Sequence, residues 1–273
     1  FEEHITPRTK AVVVVHYFAN PCDMDEIMRI AKKHNIKVIE DVSHAQGGLY
    51  KGRKLGTIGD IAAMSMMSGK SFAIGEAGML CTDNEEYIYK ARLWSSYARF
   101  KDVPKAMWAH TLNVPFGGIK NRLNQCTCAV GLEQLKKYDR ECAEIEKAML
   151  YYHKGISDVK GLKMIYPKWE KSNKAGWYSS RCLYDPEAFG GCPVTVFAAA
   201  LNAENFYKSY LGGAAHMGCA AGADIDILNG NYADVFGQLK LTAVFKGFQI
   251  LGIGKARNNI IVCRNGIICL FFD

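Results

Sequence analysis

A chain of 273 residues with 49% hydrophobic and 22% charged residues can bury a sizeable core, which excludes disordered and fibrous classes. Its net charge of +7 comes from Lys and Arg scattered among acids, as in Arg140-Glu141. No basic run is interleaved with aromatics, so no nucleic-acid partner is expected, while a small anionic ligand fits the surplus.

Ten cysteines are irregularly spaced, and the one close pair, Cys126 and Cys128, would point to different faces of a helix. Free thiols in a reducing compartment fit this better than a zinc site, so no metal is expected. No leader or membrane span is visible, and the expected location is cytoplasmic. The chain opens on Phe1 rather than Met, and is expected to be a fragment or processed chain lacking an upstream region.

Residues 10–16 form an apolar run, AVVVV at its heart, and predict a strand buried on both faces. Asp23 then reads as a helix N-cap with Glu26 as its capping-box partner. Met24, Ile27, Met28, Ile30 and Ala31 recur at helical spacing to about His34. Residues 36–39 are the next strand, which completes a βαβ unit of about thirty residues and hence a parallel pair.

A Gly- and Lys-rich loop covers 43–60, and 61–67 predicts a strand. The Gly75-Glu76-Ala77-Gly78 turn sends 77–82 back as a hairpin-like return. Acids at 83–86 open a helix running to about Tyr97, where the helix dipole favours negative charge. A second helical pattern covers 122–152, with Leu123, Cys126, Val130, Leu132, Leu135, Tyr138 and Ile145 as an apolar stripe. A break is expected near Asp139 because the pattern exceeds the usual helix length. From Gly161 the character changes: 162–166 and 177–184 read as strands and 193–203 as a helix, while the Gly- and Ala-rich tail carries no assignable element.

The chemistry gathers between Ile39 and Cys81. Glu40-Asp41 closes one apolar run, and Ser68-Gly69-Lys70 follows another. Ligands of α/β sheets bind outside the carboxyl ends of strands, so the two groups can share one ligand. Lys70 has three readings. It is a solvated surface charge, the lysine of a phosphate loop, or a Schiff-base lysine. Gly69-Lys70-Ser71 fits the end of a phosphate-loop motif, but Met64 stands where its first glycine is required. A Schiff-base lysine works with pyridoxal 5'-phosphate (PLP), whose pyridine nitrogen needs a carboxylate to hold its proton, and Asp41 suits that role. Asp41 reads equally well as a turn residue. His44 is a candidate ring contact or a structural loop histidine, and Ser65 a candidate phosphate contact or a backbone-paired hydroxyl.

The phrases NPCDMDEIMRIAKKHNIKVIEDVSHAQGG, YKGRKLGTIGDIAAMS, GKSFAIGEAGMLCTDN and GGIKNRL, with AVGLEQLKKYD, occur in one order between Ile5 and Asp139. In that order they resemble the DegT/DnrJ/EryC1/StrS family of sugar and cyclitol aminotransferases. The resemblance implies an α/β chain with the type I PLP-dependent aminotransferase fold. Residues 1–155 would be part of a large domain with a mostly parallel sheet, and 156–273 a smaller α+β domain.

The resemblance also implies roles: Lys70 as the Schiff-base lysine, Asp41 at the pyridine nitrogen, His44 at the ring hydroxyl, Ser65 at the phosphate. Lys120 stands where many members place an Asn that reaches a neighbouring subunit's phosphate, and Arg122 matches a recurrent arginine. It implies a homodimer that transfers an amine from glutamate or glutamine to a keto-sugar or keto-cyclitol. Three features depart from the family pattern: the upstream phosphate loop and stacking aromatic are absent, Ala77 replaces a glycine, and resemblance fades from about Asn205. Two alternatives stay open, a catalytically incomplete fragment or assembly partner, and a sugar dehydratase of the kind that carries histidine in place of Lys70.

Overall fold

The computed structural model describes residues 1–95, 103–105, 120–203, 260–263 and 267–271. Their contacts divide the chain into two units. The first comprises Phe1–Glu146, Pro167–Tyr178 and Ile260–Asp273; the second comprises Lys147–Tyr166 and Ser179–Asn259. The grouping differs from the expected division at 155/156: residues 147–155 join the second unit, and 167–178 and the tail join the first.

In the first unit β1 (Thr9–Val15), β2 (Lys37–Asp41) and β5 (Ile61–Ser65) are parallel, with β2 in the middle. The register sets Val15 opposite Asp41 and Asp41 opposite Ala63, so the three carboxyl ends lie nearly level. The sheet is mixed at its edges. β6 (Gly78–Cys81) returns antiparallel to β5, as the sequence predicts. On the other side β10 (Ile267–Phe271) lies antiparallel to β1 and is followed by β9 (Ile260–Cys263). The tail that carries no signal of its own in the sequence therefore supplies two strands: its apolar run finds the ladder partners of β1.

The core explains why these strands form. Val12, Val14, Val38, Ala62 and Val42 are fully buried, and α1 (Met24–Lys33) adds Met24, Ile27 and Ala31 to the same cluster. Val13 and Val15 are only half-buried, so β1 has one closed face rather than two. The predicted capping box at α1 does not form. Asp23 makes no cap hydrogen bond; its Oδ1 accepts from the Tyr50 hydroxyl at 2.9 Å, and Glu26 pairs with Arg29 instead. Tyr50, in β3 (Leu49–Tyr50), is itself fully buried, and its hydroxyl needs that acceptor. β3 pairs with β4 (Arg53–Lys54) as a short ribbon.

α2 (Glu85–Ser95) follows β6, and α3 runs unbroken over Gln125–Ile156. The break expected near Asp139 is absent: that residue is exposed and pairs with Lys54 at 3.3 Å, leaving the helix ladder undisturbed. Of the expected apolar stripe, α3 buries Tyr138 in the first unit but not its leucines. Leu132 and Leu135 are 64% and 63% exposed, whereas Tyr138 and Cys142, one turn apart, pack with Met66, Phe72 and Ala175.

The second unit contains an antiparallel pair, β7 (Leu162–Met164) and β8 (Cys182–Tyr184), and α4 (Val194–Ala203). The strand expected over 177–184 is shortened to its last three residues. Trp177 has left-handed backbone (φ 45°), which a ladder does not accommodate. Among the described residues no helix is long and apolar enough to cross a membrane.

Candidate functional site

The loops leaving the three parallel strands carry the site. Asp41 is the last residue of β2, and its Oδ1 accepts the Ser43 amide at 2.9 Å, which fixes the carboxylate in a tight turn. Its neighbour Glu40 points into the core and is fully buried. Glu40 Oε1 accepts the amides of Ile58 (2.7 Å) and Gly59 (2.6 Å); Oε2 accepts Gly56 (2.9 Å) and His16 Nε2 (3.0 Å). His16 Nδ1 accepts the Cys22 amide at 3.2 Å, so the ring proton sits on Nε2 and faces Glu40. Burial alone raises the Glu40 carboxyl, but His16 and the Gly59 and Gly56 amides outweigh it and hold the group below the ordinary carboxylate range. Gly59 is required here, because a Cβ would stand 2.8 Å from the Val38 carbonyl. The acidic pair thus divides its work: one carboxylate pins the loop into β5, the other faces the strand end.

Lys70 lies past the end of β5, in a turn closed by its amide to the Met67 carbonyl at 2.8 Å. It is half-buried. Burial pushes its amine below the ordinary lysine range, and the Asp41 charge opposes that shift. Lys70 and Asp41 therefore share one electrostatic environment.

A polar clamp joins their two loops. Gln46 is buried; its Nε2 donates to the carbonyls of Ser43 (3.2 Å) and Ser65 (2.6 Å), and its Oε1 accepts the Ser71 hydroxyl at 2.8 Å. The Tyr138 hydroxyl, from α3, donates to the Gln46 carbonyl at 2.9 Å and lies 3.1 Å from Ser71 Oγ. Ser43 Oγ accepts the Ser65 amide at 3.1 Å. Ser65 Oγ accepts the Met67 amide at 3.3 Å, which is the local backbone pairing.

His44 sits in an aromatic stack. Its ring lies 3.9 Å from that of Tyr178 with planes 11° apart, and 5.5 Å from Phe18 at 22°. The Phe18 amide donates to His44 Nδ1 at 3.4 Å. The Lys70 Nζ is 4.7 Å from the centre of the same Tyr178 ring. Tyr178 arrives through a close approach at Gly176, where a Cβ would lie 2.6 Å from Ser71 Cβ and 2.8 Å from the Tyr138 hydroxyl.

Asp41, His44, Ser65 and Lys70 thus gather at the carboxyl ends of β2 and β5. Lys120 is exposed, just ahead of α3. Three contributors escaped the sequence reading: Gln46, Tyr138 as a hydrogen-bond donor, and Tyr178. Only Gln46, inside the SHAQGG phrase, carried a local signal.

An amine lowered by burial and a carboxylate fixed at a strand end suit an aldehyde cofactor with a protonated ring. The α/β arrangement is the type I aminotransferase fold. A crystal structure of a variant of GDP-4-keto-6-deoxymannose-3-dehydratase (ColD) with bound GDP-perosamine matches at TM-score 0.64 and 23% identity, covering 74% of this chain and 53% of that one. The aminotransferase from Psychrobacter cryohalolentis matches at TM-score 0.51 and 29% identity, over 67% and 49%.

The chain belongs to the DegT/DnrJ/EryC1/StrS aminotransferase family, whose profile matches residues 1–207. That range runs past Asp139 and stops close to Asn205, where the motif resemblance fades. GDP-perosamine synthase of Caulobacter vibrioides is 35% identical over 156 residues, 57% of this chain and 40% of that protein. The spore coat polysaccharide biosynthesis protein SpsC of Bacillus subtilis is 36% identical over 182 residues, 65% and 46%. The chain spans under half the length of these two relatives.

Proposed function

We propose that this chain is the lysine-bearing part of a PLP-dependent aminotransferase. It transfers an amine from glutamate or glutamine to a nucleotide-linked keto-sugar or a keto-cyclitol. The observation that carries the reading is the Asp41–Lys70 pair, a strand-end carboxylate acting on a half-buried amine whose proton burial loosens. PLP, when bound, supplies a protonated ring that takes up the electron pair left when the donor loses its Cα proton. In this reading the Lys70 amine would carry that proton from the donor Cα to the carbon of the cofactor's former aldehyde group, as base and then acid. Asp41 keeps a proton on the ring nitrogen, His44 orients the ring, the Ser65 hydroxyl serves the phosphate, and the Lys120 ammonium serves the phosphate of a neighbouring subunit's site. GDP-perosamine synthase among the relatives supports a sugar acceptor. A lysine rather than a histidine at position 70 favours transamination over dehydration.

The same reading includes a cytoplasmic homodimer. Exposed Leu132 and Leu135 on α3 and Met79 and Leu80 on β6 support a subunit contact. Light scattering checks it, with a monomer that retains PLP counting against it. The function itself is tested by mixing the purified chain with PLP. A visible-edge absorbance band is expected, and borohydride should trap the cofactor on Lys70. No band, or a band that survives Lys70→Ala, defeats the proposal.

A further inference from the structure

We propose that Tyr178 is a positioning residue for Lys70: the face of its ring, together with the Asp41 carboxylate, holds the Lys70 ammonium while the amine carries its proton. The inference deepens the PLP reading of Lys70, on which its meaning for function rests. The Lys70 Nζ stands over the Tyr178 ring, 4.7 Å from its centre. That is within the roughly 6 Å at which a ring's negative face attracts a cation, and the attraction grows where water is displaced. Lys70 is half-buried, so its ammonium has given up part of its hydration. Asp41 offsets some of that loss by charge, and the Tyr178 face offsets more without adding a charge of its own. Both attractions exist only for the protonated amine. On losing its proton the amine loses them together and is released as a nucleophile.

The ring is fixed from several sides. Tyr178 lies flat against His44, 3.9 Å centre to centre with planes 11° apart, and Phe18 extends the stack at 6.1 Å and 17°. The chain just before it is anchored. Gly176 packs against Ser71 and Tyr138 with no room for a Cβ, and the Trp177 indole N–H donates to Glu146. Trp177 keeps left-handed backbone, φ 45°, a conformation that persists only where the surroundings enforce it. Ser71 follows Lys70 directly, so the packing at Gly176 ties together the backbones of the two partners. Among the described residues, the titratable groups that bear on the amine are Asp41, by charge, and the Tyr178 phenol and His44, through the stack.

The test is acetic anhydride labelling across a pH series, without cofactor, with Lys70 acetylation read by peptide mass spectrometry. Tyr178→Leu keeps apolar bulk and removes the ring face, so the half-labelling pH should fall by about half to one unit. A ring that only shields the amine from water predicts the opposite sign, because its loss would hydrate the ammonium and raise the midpoint. Tyr178→Phe keeps the face and removes the phenol, and should match the parent. In the parent chain the ring current should shift the Lys70 Hε NMR signals upfield, with Lys70→Arg identifying them. That measurement covers the case in which the leucine variant fails to fold by circular dichroism. An unchanged or raised midpoint in a folded Tyr178→Leu chain, or unshifted Lys70 signals in the parent, overturns the inference and leaves the aminotransferase reading standing. A parallel series with PLP and borohydride keeps the two apart: a lowered acetylation midpoint with no trapping of PLP at Lys70 defeats the aminotransferase reading alone.

Discussion

Asp41 closes β2 and Lys70 follows the neighbouring parallel strand β5, and the two act on one proton: burial drives the Lys70 amine toward its neutral form, and the Asp41 charge pulls it back. Reductive trapping with PLP across a pH series should therefore label Lys70 at lower pH than it labels a free lysine side chain in a model peptide. Asp41 favours the charged amine, so Asp41→Asn should move the half-labelling pH further down. An unchanged or rising midpoint would show that the two groups do not communicate.

Glu40 ties stability to acid. Its folded carboxyl lies below the ordinary value of 4.5, so its contribution is complete above that value and is lost as pH falls through the lower folded pKa. The urea midpoint of the parent chain should fall steeply in that acidic window. Glu40→Gln turns a group that accepts four hydrogen bonds into one that accepts at one atom only, and should cost about 3 kcal/mol at neutral pH. Its acid sensitivity should be flatter than the parent's.

The Gln46 clamp predicts a linked loss. Gln46→Leu leaves the Ser43 and Ser65 carbonyls without their side-chain donor and Ser71 without its acceptor, a cost of about 2–3 kcal/mol by chemical denaturation. The variant should also trap PLP at Lys70 less efficiently, since the loops bearing Asp41 and Lys70 lose their link. A stable variant with normal trapping would show that the strands alone hold the site.

Gly176→Ala probes the approach that delivers Tyr178. The added Cβ meets Ser71 Cβ at 2.6 Å, and relief requires the backbone to move. A loss of about 1–3 kcal/mol is expected from overpacking. With the segment displaced, Tyr178 should leave His44, and the His44 ring protons should lose their ring-current shift in NMR spectra. Retention of that shift would mean the segment tolerates the methyl group.

Local patterns of sequence determined a good deal about this protein. Alternation and apolar runs defined β1, α1, β2, β5 and the return of β6, because ladder and helix periods are written in neighbouring residues. The EDVSHA and SGK phrases placed Asp41, His44 and Lys70 at strand ends, which is where a parallel sheet gathers ligand-binding groups. Local pattern misled where a distant partner competed. Asp23 reads as a cap but serves Tyr50, and of the α3 stripe Leu132 and Leu135 stay exposed while Tyr138 is buried together with Cys142. What only the tertiary structure decided is what crosses the site from afar. β10 closes on β1, Tyr138 reaches Gln46, and Tyr178 lies between His44 and Lys70 in contact with both. Such contacts depend on which segments meet after folding. They arise from close packing and hydrogen-bond satisfaction between residues far apart in the chain, and these leave no period to read.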